Sequence, residues 1–141
     1  MKYRVFLILA LFVARPLAAQ QYVSQENEEI YGTWVNTDYS GGYNEEQKIV
    51  IHPDGLELYG MAAFDFHSGK DRYTILEKWK DENDNIWYKR HIFASYGKWS
   101  DLTRISQDQS VMEYVFSYVV SKIPEKIDPN HKNYRIYYRQ K

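Results

Sequence analysis

The sequence predicts an all-β domain, an antiparallel up-and-down meander of eight or nine short strands closed into a barrel. Three observations carry this. Beyond the first twenty residues no segment longer than ten residues holds a 3.6-residue apolar period, whereas two-residue alternation recurs along the chain. Clusters of Gly, Pro, Asn, Asp and Ser punctuate the alternating runs at short spacing. The 14 tyrosines and four tryptophans favour pleated, half-buried surfaces. A meander has two unpaired edges, and closing into a barrel removes them. Eight strands enclose room for side chains or one small ligand.

Residues 1–19 stand apart. Lys2 and Arg4 precede the apolar run V-F-L-I-L-A-L-F-V-A, and Leu17-Ala18-Ala19 offers small residues for cleavage. That order is the order of a secretory signal peptide. Spanning a bilayer takes about 20 apolar residues, and this run is shorter. No cysteine follows it, so a lipid anchor is not expected, and the mature protein is expected in the periplasm or secreted. Residues 1–19 hold three of the 18 basic residues and none of the 19 acidic ones, so the remainder carries 15 against 19, a formal −4. Nucleic-acid binding needs a basic stripe and anionic lipid needs a basic patch, and neither suits that balance. The chain lacks cysteine, which excludes disulfides, thiol nucleophiles and cysteine metal sites. Residues 20–29 read as an N-terminal lead and residues 30–141 as one domain.

Along that domain, E-I-Y-G-T-W-V-N (29–36) opens the first strand. Q-K-I-V-I-H (47–52) puts Ile49 and Ile51 on one face; Pro53-Asp54-Gly55 turns the chain, and Leu56 and Leu58 resume the alternation. M-A-A-F-D-F-H (61–67) places Ala62, Phe64 and Phe66 together. Residues 73–79 set Tyr73, Ile75, Glu77 and Trp79 against Thr74, Leu76 and Lys78. Residues 86–93 set Tyr88, Arg90 and Ile92 against Trp87, Lys89, His91 and Phe93. A short strand follows at 102–105 and a long one at 111–120, where Met112, Tyr114, Phe116 and Tyr118 share a side. Y-R-I-Y-Y-R (134–139) ends the meander, and one helical turn is expected near 124–128. Strands 86–93 and 111–120 are partly apolar on both faces. Mixed side chains pointing inward suit a ligand cavity; a fully packed interior with tyrosines on the wall is the alternative.

Gly32-Thr33-Trp34, with the pieces K-I-V-I-H-P-D-G-L-E-L, W-Y-K-R-H-I and V-M-E-Y-V, resembles the small bacterial lipocalin-like domains of the calycin group. The resemblance runs over residues 30–140 and implies an eight-stranded antiparallel up-and-down barrel. It implies that Gly32 lets the chain bend against a barrel floor, that Trp34 plugs the floor, and that an arginine of the last strand, Arg135 or Arg139, stacks on the indole. It implies a non-catalytic binder of a small apolar or amphipathic molecule. Two features depart from the pattern. The wall helix has no clear counterpart, since the stretch 121–133 is short and carries Pro124 and Pro129, and no Thr-Asp-Tyr segment precedes the seventh strand.

Chemistry-bearing patterns are sparse. His52, His67, His91 and His131 form no His-x-His or His-x-x-x-His pair, so no metal site is expected. No nucleophile elbow, phosphate loop or dinucleotide pattern occurs, and no enzyme activity or cofactor is expected. Asp65, Glu77 and Glu113 read as solvated or paired with Arg90 or Arg104. Trp79, Trp87 and Trp99 cluster in the middle third with Tyr73, Tyr88 and Tyr96, near Lys89, Arg90 and Lys98. Rings with a few polar handles suit a flat or lipophilic small molecule, and they suit an envelope protein partner as well. The residues expected to line the open end and cavity are Phe64, Phe66, Trp79, Trp87, Tyr114 and Phe116. The alternative is an interaction or inhibitor module with a packed interior.

Overall fold

Short turns between alternating runs give a ladder in which sequential strands pair antiparallel. The computed structural model describes residues 27–36, 47–60, 71–95 and 97–141. Its strands are β1 (Gly32–Asn36), β2 (Gln47–His52), β3 (Gly55–Tyr59), β4 (Arg72–Lys80), β5 (Ile86–Ala94), β6 (Gly97–Ile105), β7 (Val111–Ser117) and β8 (Tyr134–Arg139). They form one sheet in the order β3-β2-β1-β8-β7-β6-β5-β4. All pairings are antiparallel, and β1 meets β8 at Trp34–Arg139 and Val35–Tyr138. Among the described residues the two ends of the sheet meet in an isolated bridge. Leu56 N–H donates to Asp71 O (2.9 Å) and Asp71 N–H to Leu56 O (2.8 Å). The result is an all-β, eight-stranded, nearly closed barrel, and it is compatible with a lipocalin-like fold.

Each turn has a local cause. The predicted β2–β3 hairpin turns at Pro53-Asp54, with His52 opposite Gly55. Between β4 and β5, Asp81 accepts from the backbone N–H of Asn83 (2.9 Å) and Asn85 (3.0 Å), while Asp84 takes the left-handed φ of 60°. Between β6 and β7, Asp108 accepts from Ser106 Oγ and Ser110 Oγ (both 2.7 Å), and Gln109 takes φ 59°. Asp and Asn side chains substitute for missing backbone partners in such bends.

The inner face is apolar. Trp34, Ile49, Ile51, Leu56, Leu58 and Ile86 join Tyr88, Ile92, Ile105, Met112 and Tyr137 in one buried cluster. The floor is built around Trp34. Its indole N–H donates to Ile30 O (2.9 Å), and the Arg139 guanidinium lies 4.2 Å from the ring centroid. Arg139 also donates to Tyr31 O (2.6 Å), Gln109 O (2.7 Å) and Glu29 O. Burial holds its pKa below the usual guanidinium range. Gly32 has φ +122°, and a Cβ there would lie 3.0 Å from Arg139 Nη1. Both the conformation and the space call for glycine. Of the two arginines expected on the indole, Arg139 takes the position. Arg135 shares its face but sits four residues back along β8, opposite Tyr114.

Several expectations change in the fold. The short strand at 102–105 is the second half of β6, which begins at Gly97. Its polar Ser100 and Asp101 hide the strand in the sequence; Asp101 finds the buried Arg90, and Ser100 the carbonyl of Val120. The long run 111–120 pairs only to Ser117. Beyond it the chain is irregular, and no helical turn forms near 124–128. This stretch nevertheless clamps the outer wall: Ser100 Oγ donates to Val120 O, and Asn133 Nδ2 donates to Phe116 O (2.9 Å). Beside it the outward cross-strand partners Leu102 and Val115 are each only 2% exposed. In β4 a bulge between Ile75 and Glu77 reverses the faces. Tyr73 and Ile75 pack on the core, while Glu77 and Trp79 emerge on the outer wall and Lys78 turns to Glu29 (3.0 Å). The expected strand 61–67, the segment 1–19 and most of the lead lie outside the described residues.

Replacing Trp34 by Ala removes the plug, its N–H bond and the arginine's platform. Large-to-small changes at such sites cost about 3–5 kcal/mol. Equilibrium urea denaturation should show that loss as a lowered midpoint. A change below about 1 kcal/mol would mean that the floor is not structural.

Candidate functional site

The inner faces of β5, β6 and β7 meet away from the Trp34 floor, and there the apolar interior is broken by charge. Arg90 and Asp101 are cross-strand partners, 3% and 1% exposed. Arg90 Nε donates to Asp101 Oδ1 and Nη2 to Oδ2, each at 2.9 Å, a bidentate fork. Arg90 Nη2 also reaches Thr103 Oγ1 (3.0 Å), which in turn donates to Asp101 Oδ1 (3.0 Å). Burial acts to lower the Arg90 pKa, but the Asp101 charge and hydrogen bonds outweigh it and hold the group above its usual value.

Beside the pair lies a cavity of about 10 Å³, lined by Ile49, Leu56, Leu58, Arg90, Ile92, Trp99, Asp101 and Tyr114. That is room for about one water molecule. From it a series of rings leads outward. Trp99 and Tyr114 stand 6.5 Å and 6.2 Å from Phe116, and Phe116 stands edge-on to Tyr118 at 5.3 Å. Exposure rises along the series from 8% at Trp99 to 69% at Tyr118. Tyr114 also stacks on Tyr137 (5.7 Å), and burial pushes its phenol up to about 12. Arg135 lies over the Phe116 ring at 5.4 Å and donates to Tyr134 O (2.7 Å).

The expected cavity residues thus divide. Tyr114 and Phe116 belong to the inner face. Trp79 and Trp87 stand on the outer wall, stacked on one another at 5.8 Å and 10°. They are displaced from the interior because Trp87 alternates with buried Ile86 and Tyr88, and the β4 bulge brings Trp79 opposite it. Lys89 covers Trp79 and Arg104 covers Trp87, both at 5.4 Å. Trp87 Nε1 donates to Asp81 Oδ2 (2.8 Å), a bond that with its neighbours holds the Asp81 carboxyl at about 2. Arg104 pairs with Glu113, which also accepts from Tyr134 OH (2.7 Å). Phe64 and Phe66 lie outside the described residues.

Sequence reasoning placed Arg90 on a face with Tyr88 and Ile92 but missed Asp101, Thr103 and Trp99 as its companions. The two-residue step from Trp99 to Asp101 to Thr103 was the available signal. His52 and His91 alternate with buried residues and point outward. Among the described residues no three His, Cys, Asp or Glu side chains are grouped to hold a metal ion. Among them, too, no helix is long and apolar enough to cross a membrane. Comparison with known proteins finds no matching family model, no matching curated protein and no matching solved structure.

Breaking a buried ion pair leaves one charge unpaired, at a cost of about 3–5 kcal/mol, whereas replacing both partners by apolar residues is often neutral. Asp101→Ala should therefore destabilise strongly, and Arg90→Met combined with Asp101→Leu should recover most of the loss. Thermal and urea unfolding of the two variants decide this. A single variant as stable as the parent would mean that the pair is solvated.

Proposed function

We propose that the chain is an exported, non-catalytic, lipocalin-like barrel of the calycin type that binds a small apolar or amphipathic molecule at the end away from Trp34. The observation that carries this reading is the run of rings from Trp99 and Tyr114 through Phe116 to Tyr118, which joins a buried polar pair to solvent. Apolar walls with a few fixed polar groups are the usual composition of small-molecule sites. The small cavity supports a shallow site in which the tail lies along the rings. Gly32, Trp34 and Arg139 serve the floor and do not touch the ligand.

Binding should be visible in tryptophan fluorescence, because Trp99 lines the path. A panel of fatty acids, retinoid-like dyes and hydrophobic probes should contain members that saturate the protein at micromolar concentration, with the signal reduced in Trp99→Phe. A panel in which none saturates would remove the reading. Export is tested separately. Amino-terminal sequencing of protein recovered from a bacterial periplasm should begin near Gln20, and an intact Met1 would refute a cleaved signal.

A second reading, an envelope interaction or inhibitor module, is favoured by the outer wall. The Trp79–Trp87 stack is part-exposed, and Leu76 on the same strand is 45% exposed. Trp, Tyr and Arg dominate protein hot spots. Under this reading a periplasmic extract yields a partner that Trp87→Ala fails to retain, and no lipid is extracted with the chain.

A further inference from the structure

The Arg90–Asp101 pair also bears on which molecule the site accepts. We propose that it selects amphiphiles with an uncharged, hydroxyl-bearing head over carboxylates with the same tail, an inference that rests on the barrel being a ligand binder. Arg90 and Asp101 cancel each other's charge inside the barrel, and both are almost wholly buried. A carboxylate seated beside them would leave a net negative charge in the interior, and an ammonium a net positive one. Uncompensated buried charge is among the costliest arrangements in a protein. A neutral head brings no such cost.

The free hydrogen-bonding capacity has the pattern of a hydroxyl. A guanidinium has five N–H groups and a carboxylate about four acceptor positions. The Arg90 network uses Nε and Nη2, and Nη1 takes no part in it. Asp101 Oδ1 accepts from Arg90 and Thr103, and Oδ2 accepts once. One donor group and one acceptor position of the pair are therefore unused in this network, and both residues line a cavity of about 10 Å³. A hydroxyl accepts from the first, donates to the second and occupies about the space of a water. Its alkyl tail then runs out past Trp99, Tyr114 and Phe116. Among the described residues a further charged group, Arg135, lies at Phe116, where its guanidinium already donates to the carbonyls of Lys132 and Tyr134. A carboxylate drawn to Arg135 stays in the outer part of the path and leaves the cavity beside Arg90 unfilled.

The test uses the full chain with decanol, decanoate and decanamide, each below its micelle or solubility limit, displacing a bound hydrophobic dye. Decanol should displace the dye at a concentration about tenfold or more below decanoate, a difference of about 1.4 kcal/mol. Asp101→Asn leaves Arg90 as an uncompensated cation, and the order should reverse. Circular dichroism checks that this variant folds. If it does not, decanamide decides, since it has the shape of decanoate without the charge. Decanamide should bind like decanol, and binding as weak as decanoate overturns the charge argument. Equal affinity of decanol and decanoate for the parent chain, or no reversal in folded Asp101→Asn, also overturns it while the ligand-binding reading stands. If the dye itself does not bind, both fall.

Discussion

The barrel depends on the contact between its first and last strands. β1 and β8 pair over only two rungs, and one of these is Trp34 opposite Arg139. The guanidinium lies over the indole and donates to the carbonyls of Glu29 and Tyr31 before β1 and of Gln109 in the β6–β7 turn. Three pieces of chain far apart in sequence thus share one cation. Cation–π attraction strengthens when the pair is shielded from water, and the burial that shields it also closes the barrel base. Gly32 suits this arrangement, because its φ of +122° strains any side chain and a Cβ there would crowd Arg139 Nη1 at 3.0 Å.

Away from the floor the interior follows a different logic. Its upper part joins rings and aliphatic side chains to a bidentate ion pair that is almost wholly buried. Such a pair gives little net stability against an apolar filling of the same volume. Its value lies in fixing geometry, since the fork aligns β5 and β6 in one register, and in presenting polarity where the wall is otherwise apolar. The cavity beside it has room for about one water molecule.

The outer wall explains why so aromatic a chain has so few aromatic residues around its cavity. Trp79, Trp87, Lys89, Arg104, Glu77 and Glu113 form ladders of rings and charges across neighbouring strands. Cross-strand pairs of this kind stabilise a sheet from its solvent side. Leu102 and Val115 are also outward-facing yet buried, because the irregular stretch after β7 lies on them, tied through Val120 and Asn133. That stretch covers wall without being a helix.

Alternation and turn residues determined the strand class, the antiparallel order and the β2–β3 hairpin, because these depend on neighbours in sequence and on period two; the floor glycine and tryptophan were legible only through the resemblance that Gly-Thr-Trp carries. The choice of Arg139 over Arg135 was beyond the sequence, since both share a face and only the β1–β8 register, which sets Arg139 opposite Trp34, separates them. The inward or outward side of Trp79 was decided by a bulge, which shifts period by one residue and leaves no mark in composition. The partnership of Arg90 with Asp101 was decided by pairing across β5 and β6, where Ser100 and Asp101 read as a polar break until a buried cation and a distant carbonyl satisfy them. The sequence by itself determined which residues alternate. Only the tertiary structure decided which face is inside, because a single-residue register change moves every side chain to the opposite side of the wall.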